Sequence, residues 1–181
     1  TVERAGIGAD ATLGAWQLER ETMTLPRYVN GVKSFGSDVY VIGGHEQNQG
    51  VGVSNVEWSR IGADRSFGTW KATQPLQLGR YALSTASHDR FIYALGGITG
   101  AEYTATIERS ARDASGELGA WITTTPLPVP LASFSVATQG KFIYVLGGAN
   151  LRGYSRSVYV ASVDADGEIG FFGSERQQRE Q

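Results

Sequence analysis

Three stretches of the chain are apolar at consecutive positions and stop at paired glycines: Val39-Tyr40-Val41-Ile42-Gly43-Gly44, Ile92-Tyr93-Ala94-Leu95-Gly96-Gly97 and Ile143-Tyr144-Val145-Leu146-Gly147-Gly148. Their tyrosines are 53 and 51 residues apart. Successive side chains of a strand point to opposite faces, so Val39 and Val41 point one way and Tyr40 and Ile42 the other. A strand that is apolar on both faces is buried on both. A second marker keeps step, with Trp16, Trp70, Trp121 and Phe172 at intervals of 54, 51 and 51 residues. Self-similarity at this period predicts a repeat architecture.

The rest of the unit follows from the pattern around the marker strand. Residues 28–35, 81–88 and 132–139 read as a preceding strand rich in small residues, joined to the marker by a tight polar turn. Loops of varied composition come after the glycines, at 45–52, 98–103 and 149–154. A third strand opens at Val56-Glu57, Ile107-Glu108 and Val158-Tyr159, and a fourth carries the aromatic marker. Four strands joined by short turns make an antiparallel sheet. Small residues on the first strand suit a crowded axis and tryptophan on the fourth suits a wide rim, which is the taper of a propeller blade. The chain is therefore predicted to be all-β. It comprises a half blade at 1–21, blades at 22–73, 74–124 and 125–175, and a polar tail at 176–181. Half a blade plus three predicts an incomplete ring, to be completed by further blades of a parent chain or by another chain. A sequence beginning at Thr1 reads as a piece of a longer product.

Composition narrows the function classes. A net charge of −2 gives no basic footprint for nucleic acid. No run of about 18 apolar residues predicts membrane insertion, and no signal peptide is visible. The chain has no cysteine, so disulfides and thiolate chemistry are excluded.

The double glycine after Tyr-Val-Ile, the Val-Glu opening the third strand, the Gly-x-Trp of the fourth, and Arg27 and Arg80 placed 13 residues before the marker tyrosines resemble the kelch repeat family. Leu131 stands at the arginine position of the third unit. The turn Ala-Asp-x-x-x-Gly-x-Trp is most similar to bacterial kelch-like proteins, many of them secreted, which implies an extracellular or cell-surface location, with the cytoplasm as the alternative. By the same resemblance, the first strand is innermost, and one face collects Arg27, His45, Gln47, Asn48, Arg80, Thr99, Glu102, Tyr103, Asn150, Arg152 and Tyr154. Polar and aromatic loop residues on a rigid scaffold are the usual makings of a binding site.

Catalytic and metal chemistry find less support. His45 lies on the loop face and His88 at the opposite end of a strand, so they do not converge on a metal or a proton relay. The copper oxidases among kelch relatives use a cysteine-linked tyrosine, which this chain cannot form. Asp164-Ala165-Asp166-Gly167-Glu168 has a faint calcium-loop look, but a short hairpin supplies few oxygens, and turn chemistry accounts for Asp and Gly there. Glu3, Glu57 and Glu108 recur at one position, which reads as structural, accepting hydrogen bonds or pairing with an arginine such as Arg60. The register of the tryptophans reads as packing between blades rather than as a sugar platform. The expected function is a non-catalytic module, without cofactor or metal, that binds a protein or a glycan. The alternatives are a carbohydrate-active enzyme of the kelch and galactose-oxidase-like superfamily, or a purely structural segment of a larger surface or assembly protein.

Overall fold

A computed structural model describes residues 2–46 and 50–174. The chain order is β1 (Glu3–Arg4), β2 (Gln17–Leu18), β3 (Gly31–Phe35), β4 (Asp38–Ile42), β5 (Val56–Arg60), β6 (Lys71–Thr73), β7 (Ser84–His88), β8 (Phe91–Leu95), β9 (Ile98–Thr99), β10 (Glu102–Tyr103), β11 (Ile107–Ala111), β12 (Ile122–Thr124), β13 (Ser135–Gln139), β14 (Phe142–Leu146), β15 (Ala149–Asn150), β16 (Gly153–Tyr154), β17 (Val158–Ser162) and β18 (Gly173–Ser174). Three four-stranded antiparallel sheets, β3-β4-β5-β6, β7-β8-β11-β12 and β13-β14-β17-β18, follow a two-stranded sheet, β1-β2. Small hairpins β9-β10 and β15-β16 project from the second and third sheets. The all-β propeller architecture matches the sequence reading, and among the described residues no ring closes.

The marker strands are the buried centre. Tyr40, Ile42, Ile92, Tyr93, Ala94 and Leu95 are inaccessible to solvent. The core lies between sheets rather than within them. Tyr40, Ile42, Val56 and Trp58 of the first sheet pack against Ile92, Ala94, Leu118 and Trp121 of the second. Phe91, Tyr93 and Leu95 pack in turn against Ile143, Val145 and Ile169 of the third.

The inner strands lie side by side around the axis, as small residues there permit. Thr85 Oγ1 donates to the Val32 carbonyl at 2.7 Å, and Ser84 Oγ donates to that of Phe134. The strands are shorter than the sequence suggested, because Val29, Ala82 and Ser133, at one repeat position, have φ of 46°, 52° and 53°. That left-handed kink costs energy, most of all for β-branched Val29. It is held by a ladder in which Ala82 N–H donates to Val29 O at 2.8 Å and Ser133 N–H to Ala82 O at 2.9 Å. Tyr28, Tyr81 and Ala132 are thereby left as isolated bridges to His45, Ile98 and Ala149.

A recurring contact locks each sheet to the next. Tyr40 Oη donates to the Gly116 carbonyl at 2.7 Å, and Tyr93 Oη to that of Gly167 at 2.9 Å. Both glycines have positive φ, and a Cβ on either would meet the Trp58 or Phe91 ring of the preceding sheet at under 3 Å. Glycine is required twice over here, by conformation and by space. The aromatic markers sit one residue ahead of the fourth strand rather than on it. Trp121 is buried between sheets and donates Nε1–H to the Gln74 carbonyl at 2.9 Å, as the inter-blade reading expects. Trp16 departs from that reading: it is 62% exposed, since no described sheet precedes its own.

On the face opposite the double-glycine loops, buried Asp38 ties the first two sheets together. It accepts from Arg60 Nε at 2.6 Å and from Nη2 of Arg112 in the next sheet, and Arg60 Nη2 also reaches the Ser115 carbonyl at 2.8 Å. Burial alone would raise the carboxyl pKa, but the hydrogen bonds and charge of Arg60 and Arg112 outweigh it and hold the group below its ordinary value. A depressed folded-state pKa contributes stability that is complete above the unfolded value of about 3.9 and disappears as pH falls through the folded value. The acid limb of a stability profile below about pH 4 should therefore be shallower in Asp38→Asn than in the native chain. Urea midpoints at stepped pH measure this, and parallel limbs would remove Asp38 from the account.

Candidate ligand-binding face

The linkers entering each inner strand and the loops leaving each marker strand share one face. Two sequence candidates turn out to be its buried supports. Arg80, 0% exposed, donates Nη2–H to Glu108 Oε1 at 2.6 Å and Nη1–H to the Gly96 and Thr106 carbonyls at 3.0 and 2.9 Å. Glu108 also accepts from the backbone N–H of Gln77 at 2.7 Å and Leu78 at 3.2 Å. One repeat earlier, Glu57 accepts from Arg27 Nη2 at 3.1 Å and from the N–H of Thr24 at 2.8 Å and Leu25 at 3.2 Å. Burial pulls both guanidinium groups below the ordinary arginine value, opposed by the facing carboxylate. Arg27 and Arg80 are thus removed from the surface set. Glu57 and Glu108 do pair with arginine, but with these two rather than with Arg60, while Glu3 is exposed and has no ion pair among the described residues.

The third repeat has lost the whole arrangement together. Leu131 stands at the arginine position, Tyr159 at the glutamate position and Pro128, which has no N–H, at the position of Gln77. Leu131 is buried in the apolar cluster between the second and third sheets, and Tyr159 packs against that cluster. Removing both charges of a buried pair together leaves neither stranded, and Pro128 also removes one of the two linker N–H donors.

Above these supports, four candidates converge. Hairpins β9-β10 and β15-β16 flank a cavity of about 500 Å³ lined by Glu102, Tyr103, Asn150 and Arg152, with Val129 and Pro130 from the linker between them. Asn150 Oδ1 accepts from the Arg152 N–H at 2.8 Å and shapes the second hairpin's turn. Thr99 pairs with Glu102 across the first hairpin. Tyr154 stands 97% exposed on β16, outside the lining. His45 lies apart, at the boundary of the first and second sheets. Its ring sits between Tyr28 at 5.2 Å and Tyr81 at 4.9 Å, and its Nδ1 is buried with no hydrogen-bond partner among the described residues. Gln47 and Asn48 lie outside the described residues.

The sequence reading missed the apolar lining: Ala101, Val129, Pro130 and Leu151. The Pro128-Val129-Pro130 run was the available signal, since it interrupts the pattern of the earlier linkers. On the opposite face, His88 ends β7, and its Nδ1 lies 3.1 Å from the Gly140 carbonyl. The Asp164 carboxylate is occupied by the N–H groups of Asp166 and Glu168 at 3.0 and 2.9 Å, which is turn chemistry.

No protein-family model matches the chain. Kelch-like protein 38 of Homo sapiens is 25% identical over 114 residues, covering 62% of this chain and 19% of that protein. Kelch-like protein 40b of Danio rerio is 32% identical over 72 residues, covering 40% of this chain and 11% of that protein. The solved structure of YjhT, a kelch-type propeller, superposes with a TM-score of 0.70 over 88% of this chain and 54% of that one, at 13% identity. The chain has the fold of a kelch-type propeller and resembles kelch-like proteins in sequence. It spans less than a fifth of the length of the curated relatives it matches. Arg80 and Glu108, two positions on which the sequence resemblance rests, hold the face up from below, and the hairpins carry what is exposed.

The third repeat supplies its own test. Arg80→Leu and Glu108→Tyr, made singly, each strand a buried charge and should destabilise by about 3–5 kcal/mol. The double variant should recover about 2 kcal/mol or more of the summed loss in urea melts, and adding Gln77→Pro to it completes the copy of the third repeat. Strict additivity would contradict the pairing.

Proposed function

We propose that this chain is a non-catalytic kelch-type propeller module that binds a protein or a glycan through the loops of one face. The observation that carries the reading is the cavity of about 500 Å³ at which Glu102, Tyr103, Asn150 and Arg152 come together from two sheets. Its volume is that of an ordinary ligand pocket. The buried carboxylates Glu57 and Glu108 are each engaged by an arginine and two backbone N–H groups, so they support the face rather than serve it chemically.

The proposal extends to the ends of the array, where further blades pack on the exposed apolar residues. Trp16 and Leu18 are exposed on the two-stranded sheet, and Phe142 and Phe171 on the third sheet. Support comes from their counterparts inside the array, since Trp121 and Phe91 are buried at the same repeat positions as Trp16 and Phe142.

Replacing residues 150–153 by Asn-Gly keeps the flanking Ala149–Tyr154 pair and closes the hairpin with a favoured two-residue turn. The variant should melt at the native temperature and lose ligands that the native chain selects from a glycan array or a peptide library. Retained affinity would move the site away from this hairpin.

A further inference from the structure

Resting on that reading, we infer that the cavity between the two hairpins takes the bulky apolar side chain of an extended peptide. In that peptide an acidic residue lies toward Arg152 and a basic residue toward Glu102. Three observations point to this chemistry rather than to a sugar. First, Ala101, Val129, Pro130, Leu151 and the Tyr103 ring are most of the lining, and its polar groups are the Tyr103 hydroxyl and the side chains of Glu102, Asn150 and Arg152. A sugar ring needs several convergent hydrogen-bond partners, whereas an apolar side chain needs only dry walls and loses nothing against Pro130, which has no N–H. Second, Glu102 and Arg152 come from different hairpins, so opposite charges stand on different walls and favour a segment of complementary polarity.

Third, the outer sides of β9 and β15 are bridged to Tyr81 and Ala132, whereas β10 and β16 each have a hydrogen-bonded neighbour on one side only among the described residues. Such strands offer unpaired backbone groups to an added extended segment, whose alternate side chains then enter pockets. Leu151 and Tyr154, 89% and 97% exposed, flank that approach as large side chains that a docked segment would cover.

The probe is a random heptapeptide library displayed on phage and panned on the whole chain, followed by fluorescence polarisation of the selected peptides. Selected sequences should share a bulky apolar residue with an acidic neighbour. Ala101→Trp, at an exposed lining position, should weaken them about tenfold or more with no change in melting temperature. Arg152→Glu should weaken them similarly, and exchanging the peptide's acidic residue for lysine should restore affinity to that variant. Peptides without an apolar anchor, or indifference to Ala101→Trp, would overturn the inference. A glycan that binds natively and is lost on replacing 150–153, with no peptide selected, would overturn it and leave the loop-face reading standing. No hairpin-dependent ligand of either class would overturn both.

Discussion

The buried ion pair of Arg80 and Glu108 is the contact on which the loop face depends. Its charges lie away from water, so they are tolerable only because nearly every donor and acceptor finds a partner. The pairing therefore dictates geometry. The glutamate on β11 draws in the N–H groups of the linker at Gln77 and Leu78, while the guanidinium reaches the carbonyls that end β8 and precede β11. The linker cannot drift from the sheet without exposing a charge to an apolar surrounding. The main chain of the same residue carries the constraint outward, for the Arg80 carbonyl accepts from Gly44 N–H of the preceding sheet at 2.8 Å. A Cβ on Gly43 would meet that carbonyl at 2.5 Å, so the double glycine is the clearance that lets the next linker pass. One residue thus fixes its own blade with its side chain and the preceding blade with its backbone.

The third repeat shows that this solution is one of two. With leucine, tyrosine and proline in place of arginine, glutamate and glutamine, the same backbone junction forms: Gly97 N–H donates to the Leu131 carbonyl at 2.8 Å, as Gly44 does to Arg80. The backbone contact is constant and the side-chain filling varies. Pro128 suits the apolar filling because it removes one of the two linker donors that the glutamate would have satisfied. The apolar version also brings Val129 and Pro130 to the wall of the cavity, so the change that relieves the third repeat of a buried charge also provides an apolar wall beside the hairpins.

The register of the repeat was legible because it rests on strict spacing, and the three sheets fall where the tyrosines and glycines put them. The direction of a side chain within that register was not. Arg27 and Arg80 stand in linkers on the loop face, and only the structure shows them turned inward to Glu57 and Glu108. The coupled absence of both partners at Leu131 and Tyr159 was visible in the sequence and is the pattern a buried pair leaves. The shortened inner strands escaped notice because nothing in Val29, Ala82 or Ser133 announces a left-handed residue; that conformation is imposed by the ladder between neighbouring sheets. The cavity was half legible. Its polar residues stood out as loop residues, but its apolar walls come from a linker and two hairpins, and sequence spacing says nothing about how closely these approach.

The central claim, that a buried pair clamps the linker and so presents the hairpins, is tested most directly by hydrogen–deuterium exchange on Glu108→Gln. The neutral amide cannot hold Arg80 and two backbone N–H groups as the carboxylate does. The account predicts faster exchange across residues 76–82 and the 98–103 hairpin, with β13 and β14 unchanged. Native protection across 76–82 in the variant would contradict it.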